Sequence, residues 1–145
     1  MLFSMLLLRT PFGPSAASKK GYQEAIRKEA KSRYTDEPVD SDNLYIRIVW
    51  FAQKKGGPDV DNIFKRILDA LKGIVYRDDG QIRQCLATKV ELAKPYTLST
   101  RHIPDDLYER LVLLLPSSDS DILFIEVGQV TSQEVVFGEI DRSAI

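Results

Sequence analysis

The clearest signal along the chain is an apolar stripe at helical spacing. Ile63, Phe64, Ile67, Leu68, Leu71 and Ile74 recur every three or four residues, which predicts an amphipathic helix over 61–74. Asp61 is a suitable N-cap for it, and Gly73 lies near its stop. Period-two patterns flank this helix. LYIRIVWFAQ, residues 44–53, puts Ile46, Ile48 and Trp50 on one side and predicts a central strand. IRQCLATKVEL, residues 82–92, predicts another, with Ile82, Leu86, Val90 and Leu92 on one face and Arg83, Cys85, Ala87, Lys89 and Glu91 on the other.

Further elements complete the pattern. Residues 2–9 predict a buried first strand and residues 122–127 a last one. Residues 21–34 carry only a thin stripe of Ala25, Ile26 and Ala30, which predicts a surface helix. Residues 104–115 predict a third helix, with Pro104 near its first position and Leu107, Leu111, Leu114 and Leu115 apolar. TPFGPSAASKK at 10–20 and KKGGP at 54–58 are loop signals. The expected fold is α/β (α+β): a single compact domain over 1–145, with a small mixed β-sheet packed with two or three helices. Residues 129–145 are a polar tail to which the pattern assigns no element.

Composition changes this picture little. A content of 43% hydrophobic and 28% charged residues is ordinary for a soluble globular domain. Eight residues precede Arg9, too few to span a bilayer, so no membrane partner is expected. Cys85 is the lone cysteine; it fits a buried, inert thiol in a reducing cytoplasm. Charge is unevenly spread. Residues 1–35 carry a net +5 and 45–102 another +5, against −4 over 36–44 and −7 over 103–145. A polyanion can therefore approach despite a total of −1.

The positive stretches enclose an acidic group. Asp59 and Asp61 stand at the start of the central helix, Lys65 one turn inside it, and Asp78-Asp79-Gly80 just past its end. Carboxylates grouped in this way repel one another unless a cation neutralises them, and hard oxygen ligands suit Mg²⁺ or Mn²⁺. If the strand after residue 80 pairs near the one ending at 53, Asp78 or Asp79 approaches Asp59 and Asp61. Such a pocket suits phosphodiester hydrolysis, with Lys65 neutralising charge on the phosphate. Separate structural roles are the plain alternative: an N-cap at Asp61, an i,i+4 pair of Lys65 with Asp69, and a turn at 78–80. Other chemistries fit poorly. Ile63 and Phe64 break an EF-hand loop, no G-x-x-x-x-G-K-[ST] segment exists, and His102 is the sole histidine, which leaves no zinc site or histidine triad.

The stretch P-D-V-D-N-x-x-K-x-x-x-D-A-L followed by Y-R-D-D-G-Q-I, at 58–82, resembles the RusA family of Holliday-junction resolvases. The resemblance implies catalytic Asp59, Asp61, Lys65 and Asp79, with Asp59, Asp61 and Asp79 as metal ligands and Asp78 supporting them. It places a basic strand residue of the family at Lys89. It further implies a Mg²⁺-dependent endonuclease (Mn²⁺ substituting) that acts as a homodimer on four-way DNA junctions and leaves 5′-phosphate and 3′-hydroxyl ends. Lys19, Lys20, Lys54 and Lys55 are candidates for contacts to the DNA backbone. The alternative is a non-catalytic DNA- or partner-binding protein whose acidic cluster is structural.

Overall fold

A computed structural model describes residues 1–138 apart from 55, 100, 117, 118, 134 and 136. The described residues form a single small α+β domain. Its elements are β1 (Phe3–Leu8), α1 (Ala16–Arg33), β2 (Leu44–Ala52), α2 (Val60–Leu71), β3 (Ile82–Glu91), α3 (Asp105–Leu114) and β4 (Ile122–Gln129), with a 3₁₀ turn at Asp79–Gln81 before β3. The mixed four-stranded sheet has the order β1-β4-β2-β3. β4 runs antiparallel to both neighbours and β2 parallel to β3, so β1, β2 and β3 all point the same way. The two crossovers are therefore β1-α1-β2 and β2-α2-β3.

The alternation of β2 divides the core. Ile46, Ile48 and Trp50 join Leu123, Ile125 and Val127 of β4 beneath the buried stripes of α1 (Tyr22, Ile26, Ala30) and α2 (Ile63, Ile67, Leu71). Phe51, Ile122 and Phe124 face the other way, against Leu107 and Leu111 of α3. Full burial of one such aliphatic side chain stabilises by about 1.5–3 kcal/mol.

Three local expectations change. α1 starts at Ala16 rather than 21, because Ser15 Oγ accepts from the Ser18 amide at 3.1 Å and caps the helix from within the apparent loop. α2 starts one residue early, with Asp59 rather than Asp61 as its N-cap. Cys85 is exposed, because β3 is an edge strand and its middle is open to solvent.

Candidate active site

The parallel strands and the helices between them give the domain two ends. The carboxyl end of β2 leads through residues 53–58 into the start of α2. In open sheets with parallel strands this is the end where ligands bind. Gly56 and Gly57 adopt φ of +95° and +84°, which side-chain-bearing residues rarely tolerate. Gly57 also packs on Trp50, where a Cβ would stand 3.2 Å from the ring. The Lys89 ammonium lies 4.5 Å over the same ring and donates to the Gly56 carbonyl at 3.1 Å. Buried Asp121 accepts from Trp50 Nε1 at 2.8 Å and from the Gln53 amide at 2.9 Å. Trp50, Lys89 and Asp121 thus fix the loop that delivers Asp59.

Asp59 is the N-cap residue of α2, yet its side chain makes no capping hydrogen bond. An N-cap aspartate ordinarily spends its carboxylate on the helix amides; this one keeps it. Asp59, Asp61 and Lys65 are exposed and, among the described residues, make no ion pair. Lys65 stands one turn above Asp61 on the same side of α2. Lys19 and Lys20 open α1 at this same end, and exposed Lys54 follows β2. Lys55 lies outside the described residues.

Asp78 and Asp79 are at the other end. β3 pairs directly with β2, as the expected convergence requires, but in parallel, so Ile82 lies opposite Leu44 and not opposite Ala52. The turn before β3 is therefore separated from Asp59 by the length of α2, whose 12 residues span about 18 Å. Among the described residues, no three acidic, histidine or cysteine side chains stand together as a ready metal set.

The 78–81 turn is tightly built. Gln81, only 7% exposed, accepts from the Arg77 and Asp78 amides at 2.7 and 2.9 Å and donates to the Val39 and Ser41 carbonyls at 2.7 and 2.9 Å. Arg77 adds an ion pair with Asp40. Asp78 accepts from the Gly80 amide at 3.1 Å and pairs with Lys72 at 3.2 Å. The Gly80 hydrogen bond and then the Lys72 ammonium hold the Asp78 carboxyl below its usual range, and Asp78 in turn raises Lys72. Asp79 is exposed, with no hydrogen bond or ion pair from its side chain among the described residues. The D-D-x-Q segment thus separates its duties: Asp78 and Gln81 hold the turn and Asp79 is left over.

A family model for the endodeoxyribonuclease RusA matches residues 14–98, well over half of the chain. The chain belongs to the RusA endodeoxyribonuclease family. That family comprises endonucleases that resolve Holliday junctions. The RusA match takes in α1, β2, α2, the 78–81 turn and β3, so both acidic ends fall within it. β1, α3 and β4 lie outside it. No curated protein matches the chain.

The sequence pattern missed several residues. Gln81 stood in the motif but was given no role. Asp121 carries no sequence signal, because its partners are 68 and 71 residues away.

Proposed function

We propose that this RusA-family protein cleaves four-way DNA junctions by metal-assisted phosphodiester hydrolysis, as a homodimer whose two active sites are each assembled from both copies. The observation that carries this reading is the idle carboxylate of Asp59, beside Asp61 and Lys65 at the start of α2. Two hard oxygen donors fit Mg²⁺, which is commonly held by one or two carboxylates together with water and substrate phosphate. When bound, such a cation supplies Lewis-acid charge at the scissile phosphate. Lys65 and the open amides of the α2 N-terminus complement the charge on the non-bridging oxygens. Hydrolysis forms a bond from the attacking water to phosphorus and breaks the bond to O3′. The proton goes to O3′, which leaves 3′-hydroxyl and 5′-phosphate ends.

A second copy would give Asp79 its role. β3 is a sheet edge with Arg83, Gln84, Cys85 and Leu86 exposed and no proline to block pairing. Antiparallel pairing of β3 with its two-fold mate would set the two α2 helices side by side, about 10 Å apart and oppositely directed. The Asp59–Asp61 end of each would then face the Asp79 end of the other. α2 carries exposed Asp61 and Lys65 beside half-buried Phe64 and Leu68, a surface suited to that contact. Closed two-fold pairing gives two sites for two opposed strands.

The test is cleavage of a labelled four-way junction with Mg²⁺. The wild type should cut, and Asp61→Asn should lose at least roughly 100-fold in rate while binding the junction as before. Full activity in Asp61→Asn would remove the site assignment.

A further inference from the structure

A second feature of this end is a strongly basic groove. A cavity of about 830 Å³ runs along α1 and is lined by Lys19, Lys20, Arg27, Lys28, Lys31 and Arg66, against a single acid, Glu24. A smaller cavity of about 470 Å³ adjoins it and shares Pro14, Lys19 and Arg66. That second cavity is also lined by Gly57 and Pro58, the residues immediately before Asp59. The two form one channel, leading from Lys31 near the end of α1 to the threshold of the aspartate pair.

The cations of this channel are not equivalent. Arg27 donates to the Ala70 and Lys72 carbonyls at 2.9 and 3.1 Å, so it closes the C-terminal end of α2. Lys20 pairs with Glu24 at 3.9 Å. Arg33, on the same helix, is turned away to the Ser4 carbonyl and Asp106. Lys19, Lys28, Lys31 and Arg66 have no ion-pair partner among the described residues. Four cations without an ion pair along one groove repel one another and gather counterions. A polyanion that displaces those counterions gains their release.

We infer that this groove along α1, with Arg66 of α2, holds one phosphate backbone of a duplex arm of the branched DNA substrate and guides it to Asp59 and Asp61. The inference rests on the nuclease reading above and extends it to the part of the substrate that lies away from the cut. The 18 residues of α1 span about 27 Å, which corresponds to about eight base pairs of duplex. No base-reading geometry is required, so the arm would be held through phosphates and without regard to sequence.

The test compares wild type with the Lys28→Ala/Lys31→Ala variant, whose changes lie farthest along α1 from Asp59, binding four-way junctions without divalent cation at several salt concentrations. On arms of 12 base pairs, the slope of log affinity against log salt should fall by about one per residue removed. On arms trimmed to four base pairs, the two proteins should bind alike, a convergence that mere loss of folding would not give. An unchanged slope on long arms, with wild-type junction cleavage intact, would overturn the groove and leave the nuclease reading standing. The predicted slope loss in the variant, with a wild type that fails to cleave, would keep the groove and remove the nuclease. Loss of binding to phosphatidylserine vesicles instead of DNA would also overturn the inference.

Discussion

The two ends of the β2-α2-β3 unit hold carboxylates in opposite conditions. At the start of α2, Asp59 and Asp61 are exposed and idle, and the N-cap position is occupied by a side chain that does not cap. Past the end of α2, Asp78 is consumed by the Gly80 amide and the Lys72 ammonium, and Gln81 ties the turn to the 39–41 connector. The first end leaves its carboxylates unengaged and the second uses them for shape. Asp79 is the exception at the second end, an acid with no structural duty on a rigid turn. Idle acids cost repulsion, whereas engaged acids return hydrogen bonds.

Three substitutions would break or sharpen this contrast. The largest effect is expected from Gln81→Ala, which leaves two amides and two carbonyls without their partner and should cost about 3 kcal/mol in denaturant unfolding. A cost near zero would mean that the turn is held by something else. A smaller effect separates the two ends directly. Asp78→Ala should lower the melting temperature, because it removes a cap and an ion pair. Asp59→Ala should leave it nearly unchanged, because it removes no capping hydrogen bond and relieves repulsion from Asp61. A drop for Asp59→Ala equal to that for Asp78→Ala would make Asp59 an ordinary cap.

Local periodicity carried most of the fold. The stripe from Ile63 to Leu71 and the alternation of Ile46, Ile48 and Trp50 give α2 and β2 because each buries one continuous face. What stayed hidden is non-local. The direction in which β3 pairs with β2 has no signature in IRQCLATKVEL, and that direction decides which end of α2 Asp79 occupies. Exposure of Cys85 follows from edge position, which is a property of strand order rather than of neighbours in the chain. Ser15 was masked by the glycines and prolines around it, although its hydroxyl starts α1. Among the candidate site residues, type and spacing singled out Asp59, Asp61, Lys65 and the Asp78-Asp79 pair, and the preference for Asp79 came from the RusA resemblance. Arg27 and Lys89 were legible as cations, but their engagement with the α2 carbonyls and with Trp50 was not.

The most direct test of the central claim mixes two inactive proteins. Asp61→Asn and Asp79→Asn are each prepared, denatured together, refolded and assayed on a four-way junction with Mg²⁺. If each site joins Asp59 and Asp61 of one copy to Asp79 of the other, mixed dimers hold one intact site. Nicking should then return to about a quarter of the wild-type rate, without paired cuts. If the mixture stays as inactive as its components, the two ends do not meet across copies and the account is wrong.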